Sequence, residues 1–403
     1  MRAVNWRAIP DVPETFRTGI RTMLKDERPN IMFRNYERMC KDLAERTKQN
    51  EELFYDKNRI AVRAHDVSGG PSEIVRPFAY TPEYTKAYTA FRMLSSFSIT
   101  RRLLRDLAQN RPEFTPETIL DFGAGPGTTL WAVEDIWPGA IQKCLNVEPS
   151  ESMIEAGNHL MGFGPFDEER ILVQWCSSIT EPSVRKRKFS LVIAANVMGE
   201  LPSDKARLAA LQLMWNFVDP EGGELLLIEP ATKWGFRTIS TAREILADPE
   251  NYDVEIEAPC THSKTCPMTV SEMNPRKMWC QFPQRTPMPA VDSTLQKQKS
   301  VRSFPPTTKF SYVRARAVDE GEKKKHNKDD DDDDNDVIIK RERIIANPIL
   351  RNKHLIMDTC DANGHLNRRT ISKGKMKSFP GVYRDARKSE VGGVWVHPTI
   401  TTD

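Results

Sequence analysis

The segment Asp121-Phe122-Gly123-Ala124-Gly125-Pro126-Gly127 constrains this chain more than any other. It ends a short apolar run, Thr118 to Phe122, that reads as a strand, and it precedes a helical pattern from Leu130 to Trp137. Glycines at a strand-to-helix turn let the backbone reverse tightly and approach a ligand with no Cβ in the way. An acid at the strand end can accept a hydrogen bond from a cationic or hydroxyl-bearing group. The alternation continues with strand Leu145 to Val147, helix Glu151 to Met161, strands Ile171 to Trp175 and Phe189 to Val197, helix Asp204 to Val218 and strand Glu224 to Glu229. That spacing predicts parallel βαβ units with helices on both faces of a buried sheet, an α/β core over residues 112–247.

Glu148 closes the second strand. A carboxylate there is placed to take both hydroxyls of a ribose, beyond the carboxyl ends of the strands where open α/β sheets bind ligands. With its acid before the first glycine, the turn resembles motif I of the class I S-adenosylmethionine-dependent methyltransferases more than the dinucleotide fingerprint. Asp121, Gly123, Gly125, Gly127 and Glu148 are the expected cofactor-binding set. Chemistry is less legible: Ala195-Asn196-Val197-Met198 after the fourth strand lacks an N-P-P-aromatic motif, and Gln174-Trp175-Cys176 lacks the acid that often holds an adenine amino group. No residue is assigned a catalytic role, and Cys144 and Cys176, in or beside strands, read as small core residues.

The flanks differ in character. Residues 1–111 form a helical extension, with Phe33, Tyr36, Met39, Cys40 and Leu43, and again Tyr84, Ala87, Tyr88, Phe91 and Leu94, at spacings of three and four. Residues 248–320 are rich in proline and cysteine and end in a late strand, Phe310 to Val318. Residues 321–336, with Lys323, Lys324, Lys325 and seven aspartates from Asp329 to Asp336, cannot bury apolar surface and read as a disordered insertion. Residues 337–403 read as a small β element with a basic tail, its strands His354 to Thr359 and His365 to Ile371 joined by a turn at Asn363-Gly364.

Cys260, Cys266 and Cys280 lie in a stretch with too little apolar periodicity to fold alone, and Cys360 supplies a fourth thiol. Thiolates suit zinc and iron–sulfur clusters alike, and His262 could replace one thiol at zinc. Seven scattered cysteines do not make a disulfide framework, which favours a reducing compartment.

Charge points toward a polyanion. The net charge is +3, and without the seven aspartates the remainder carries +10. Arg368, Arg369, Lys373, Lys375, Lys377, Arg384, Arg387 and Lys388, with Phe379 and Tyr383 among them, could neutralise phosphates and stack a loose base. Arg185-Lys186-Arg187-Lys188 reads as a surface loop. No run approaches the roughly 18 to 20 apolar residues that cross a bilayer, so no membrane partner is expected.

The glycine turn with Trp131-Ala132, Ala258-Pro259-Cys260-Thr261-His262 through Cys266-Pro267, Trp279-Cys280-Gln281-Phe282-Pro283-Gln284-Arg285 and Asp358-Thr359-Cys360 together resemble the methyltransferase-like proteins that associate with the mitochondrial small ribosomal subunit. The likeness runs from about residue 60 to 396. It implies a class I methyltransferase (Rossmann-like) fold serving as an assembly factor or component of that subunit in the mitochondrial matrix, in contact with ribosomal RNA and ribosomal proteins. It further implies an iron–sulfur cluster of four irons on Cys260, Cys266, Cys280 and Cys360. An active S-adenosylmethionine-dependent RNA methyltransferase and a zinc-stabilised RNA-binding module are the alternatives. Arg2 and Arg7 with no acid in the first ten residues suit the end of a targeting helix, though Asp11 and Glu14 follow closely, and import rests on the resemblance.

Overall fold

The protein, seen in a computed structural model, is described for residues 7–54, 74–180, 187–249, 252–270, 272–274, 278–289, 307–318 and 342–397. Lys323 to Lys325, Asp329 to Asp336, Arg185 and Lys186 lie outside the described residues. Among the described residues four helices come first: α1 (Glu14–Leu24), α2 (Pro29–Phe54), α3 (Pro82–Phe91) and α4 (Met93–Asn110).

Five parallel strands follow, β1 (Thr118–Phe122), β2 (Lys143–Val147), β3 (Leu172–Cys176), β4 (Leu191–Ala195) and β5 (Glu224–Pro230), in the order β3-β2-β1-β4-β5. The central ones, β1, β4 and β5, are nearly continuous apolar runs, as strands covered on both faces must be. Helices α5 (Thr128–Ile136), α6 (Glu151–Met161), α7 (Asp204–Phe217) and α8 (Lys233–Leu246) are interleaved with them or follow β5. Ser150, Ser203 and Thr232 start α6, α7 and α8 by accepting the backbone N–H of Met153, Ala206 and Gly235, each cap contributing on the order of 1 kcal/mol.

Three more strands come from the cysteine-rich stretch: β6 (Val254–Ala258), β7 (Phe282–Arg285) and β8 (Thr307–Ala317). Strand β8 runs antiparallel along β5 and carries β6 and β7, also antiparallel, on its other edge. The parallel centre is the methyltransferase-type sheet that the sequence predicts, and the late strand joins it antiparallel beside β5. One face packs Phe16 of α1, Phe97 and Leu104 of α4 and Trp131 of α5, with the Phe16 and Trp131 rings stacked at 4.5 Å. The other packs Leu211 and Met214 of α7 against Ile239 and Leu246 of α8.

The C-terminal part has its own sheet of β9 (Glu342–Ile344), β10 (Ile349–Leu350), β11 (His354–Cys360), β12 (Leu366–Ser372) and, after helix α9 (Pro380–Lys388), β13 (Val394–Trp395). The β11–β12 hairpin is in register from His354 opposite Ser372 to Cys360 opposite Leu366, turning through Gly364 at φ 78°. The basic stretch read as tail is therefore a strand followed by a helix, with Ala386 of α9 and Met376 completing a core of Ile344, Leu355, Met357, Ile371 and Trp395. Among the described residues, no helix is long and apolar enough to cross a membrane.

The glycine turn is packed closely from behind. A Cβ on Gly123, where φ is +71°, would stand 2.5 Å from Val197 Cγ2, whereas one on Gly374 would meet nothing within 4 Å. Gly123→Ala is expected to lower stability by about 2 kcal/mol or more, and Gly374→Ala to stay within about 0.5 kcal/mol of the parent, as read from denaturant midpoints. Equal midpoints for the two variants would contradict this packing.

Candidate functional site

A cavity of about 890 Å³ opens at the carboxyl ends of the parallel strands, lined by Gly123, Gly125, Glu148, Asn196 and Glu229 among others. It lies where the strand order reverses between β1 and β4, the switch point at which open α/β sheets take ligands. The opposite wall is the N-terminal extension, with Arg46 and Asn50 of α2 and Tyr80 ahead of α3. Reading the extension as helical was sound, but its role as a roof was not visible from periodicity.

The five residues expected at the cofactor fall into two layers. Gly123, Gly125 and Glu148 face the cavity. Glu148 clamps the turn, one carboxylate oxygen accepting the Gly125 N–H at 2.8 Å and the other the Ser150 N–H at 2.9 Å. Burial raises its pKa while these two amides oppose the rise. Gly127, left-handed at φ 74°, begins α5. Asp121 lies under the turn, 1% exposed, with Oδ2 unpartnered. Burial pushes its pKa up to about 7, and Glu148 adds to the rise against a hydrogen bond from Thr129.

Four further groups in the cavity escaped the sequence reading. Asn196 follows β4 directly, in the left-handed region at φ 61°, a position that Asn tolerates better than most residues and that often marks a site. The Glu200 carboxyl accepts from the Tyr80 hydroxyl at 3.1 Å, and burial raises its pKa to about 7 despite Arg46 nearby. Glu229, at the end of β5, accepts the Gly199 N–H at 3.1 Å, and burial raises its pKa to about 8. Arg46, 6% exposed, donates Nη2 to the Glu200 main-chain oxygen, while Nε and Nη1 have no partner. An acid closing a strand is the one signal, at Glu229, that the chain itself offers.

The four cysteines expected at a metal gather beside β8 and the C-terminal sheet. Cys266 and Cys360 are buried together with Phe236, Met268 and Ile345, and Cys280 packs against them. Burial is the largest cause raising the pKa of the Cys266 thiol, to about 12, and of the Cys280 and Cys360 thiols above their usual range. The neighbouring thiols raise each further, and Cys260 acts on all three. The Arg243 Nε donates to Cys260 Sγ at 3.1 Å, and the Glu244 carboxylate accepts the Cys266 N–H at 2.8 Å. His262 Nε2 is 3.5 Å from Cys360 Sγ, and burial followed by Arg243 lowers its pKa to about 4, so the ring is neutral at pH 7. Among the described residues, no three His, Cys, Asp or Glu side chains converge to hold a single metal ion. Arg343 of β9 binds the Pro259 main-chain oxygen, and Gly364 of the hairpin turn abuts His262. These contacts dock the second sheet on the cysteine loop.

The basic stretch is only partly available to a polyanion. Arg368 pairs with Asp358 at 3.0 Å and Arg369 with Glu342 at 2.5 Å. Lys373, Lys377, Arg384 and Lys388 are exposed, and so is Phe379, at 51%.

Strand order, glycine turn and edge cavity define a protein of the methyltransferase-like class. The sequence profile of the family "Mitochondrial small ribosomal subunit Rsm22" matches residues 82–396, and the chain belongs to that family. It is 26% identical to the human "Ribosome assembly protein METTL17, mitochondrial" over 56% of this chain and 52% of that protein. It is 22% identical to the Saccharomyces cerevisiae "Ribosome assembly protein RSM22, mitochondrial" over 85% of this chain and 72% of that one. The chain thus spans about half the length of the human relative. A crystal structure of an S-adenosylmethionine-dependent methyltransferase from Aquifex aeolicus aligns with a TM-score of 0.32 and 12% identity, over 59% of this chain and 99% of that one.

Glu229 carries a testable pH signature. Folded, it holds its proton to about pH 8; unfolded, it ionises near its ordinary value of 4.5, so stability falls as pH rises through that window. Glu229→Gln should flatten the fall, making the variant more stable than the parent by on the order of 1 to 2 kcal/mol at pH 8.5 and close to it at pH 5. Thermal unfolding across pH 5 to 9 measures this, and parallel profiles for the two proteins would refute it.

Proposed function

We propose that this chain is an assembly factor or component of the mitochondrial small ribosomal subunit, acting in the matrix. In this reading it binds ribosomal RNA and ribosomal proteins, takes S-adenosylmethionine in the edge cavity, and carries an iron–sulfur cluster of four irons on Cys260, Cys266, Cys280 and Cys360. The observation that carries it is the gathering of four thiols from separated stretches into one lobe between the methyltransferase-type sheet and the second sheet. Buried thiols resist ionisation, and Arg243, the cation that acts on them among the described residues, is a small counter-charge for four thiolates. A bound cluster would supply that positive charge, and its binding free energy would be folding free energy for a loop with little core of its own. The exposed Lys373, Lys377, Arg384 and Lys388 with Phe379 support RNA contact through phosphates and stacking.

Cys260→Ser with Cys266→Ser should abolish the brown absorbance and iron content of protein purified without oxygen and weaken its association with the small subunit. Retained iron, zinc in place of iron, or unchanged association each contradicts this reading.

Catalysis by the same cavity is the second reading, favoured by left-handed Asn196 beside the glycine turn. A Cβ at Gly125, where φ is +54°, meets nothing within 4 Å, so a longer side chain there, held in a strained left-handed backbone, can extend into the cavity. Gly125→Arg should therefore lose S-adenosylhomocysteine binding and any methyl mark the protein leaves on ribosomal RNA. Full rescue of subunit assembly by this variant would make catalysis dispensable.

A further inference from the structure

The cavity is amply supplied with carboxylates, and those at the strand ends are already engaged: Glu148 by two backbone amides and Glu229 by the Gly199 amide. Arg46 is the opposite case. Arg46 is 6% exposed in the roof and lines the cavity, yet its guanidinium spends one nitrogen on the Glu200 main-chain oxygen and leaves Nε and Nη1 buried without a partner. A buried guanidinium with unpartnered N–H groups is costly to a fold, and its planar fork matches a carboxylate. Arg92 lines the same cavity as a second cation.

We propose that Arg46 is the carboxylate receptor of this cavity and takes the amino-acid end of S-adenosylmethionine. This rests on the cofactor reading above and extends it to a residue of the helical extension, outside the family-matched span of 82–396. The Glu200 carboxyl, close enough to interact electrostatically with Arg46, offers an acceptor for the ammonium of the same group. The roof thereby becomes part of the binding site, and ligand lying against the glycine turn would be tied to α2 by its charged end.

Titration calorimetry on the full chain with two probes tests the assignment: S-adenosylhomocysteine, and 5′-methylthioadenosine, which keeps the nucleoside thioether and lacks the amino-acid end. Arg46→Met should weaken S-adenosylhomocysteine at least tenfold and change methylthioadenosine less than twofold, with Arg46→Lys in between. Melting without ligand shows whether Arg46→Met is folded. Equal loss for both probes, no loss for either, or a lowered melting temperature with both probes weakened alike overturns the assignment and leaves the cofactor reading standing. If the parent protein binds neither probe, the cofactor reading falls and the assignment with it.

Discussion

The guanidinium of Arg207 joins the parts of this molecule that make the cavity. One of its nitrogens reaches Asn50 Oδ1 of the roof and the Leu201 main-chain oxygen, both at 2.7 Å, while Nε reaches the Met198 oxygen at 3.2 Å and Nη1 the Asp204 carboxylate at 2.9 Å. Its plane lies 4.5 Å from the Trp234 ring and 5.3 Å from that of Phe54. Arg237 secures the same Asp204 from α8 through two hydrogen bonds. Burial lowers the Arg207 pKa to about 10, which still leaves it charged at neutral pH. Helix α2, the turn after β4, and helices α7 and α8 thus share one buried cation, and removing it would strand several acceptors at once.

A second linkage ties the cysteine loop to both sheets. Strand β8 lies against β5 on one edge and β6 and β7 on the other, so Cys260, just after β6, and Cys280, just before β7, are fixed to the same strand. The Ser311 hydroxyl of β8 donates to the Cys280 main-chain oxygen at 2.6 Å, and Cys360 ends β11 opposite Arg343, whose side chain holds Pro259. The thiols are therefore brought together by strand pairing and side-chain contacts that a bound metal would reinforce.

Much of the sheet was legible in the chain because the apolar runs of β1, β4 and β5 and the glycine turn follow from local chemistry. Helix α8 was not anticipated, since Lys233 to Leu246 carries several polar residues that are buried here, Arg237 and Arg243 among them. Nor could the roof be read, because Arg46, Asn50 and Tyr80 reach the cavity through contacts that span 120 residues or more of sequence. The basic stretch shows the converse limit: counting its cations was straightforward, but Arg368 and Arg369 are paired across the hairpin and toward β9, which only the register discloses. Within the expected cofactor set, residue type indicated the neighbourhood; whether a side chain faces the cavity, as Glu148 does, or supports the turn from below, as Asp121 does, depends on packing.

The central claim is that the helical extension and the glycine turn enclose one ligand site. Amide hydrogen exchange with and without S-adenosylhomocysteine tests it most directly. The account predicts slower exchange on ligand addition both in the 123–127 turn and in α2 around Arg46 to Asn50. Protection confined to the turn, with α2 exchanging as before, would contradict it.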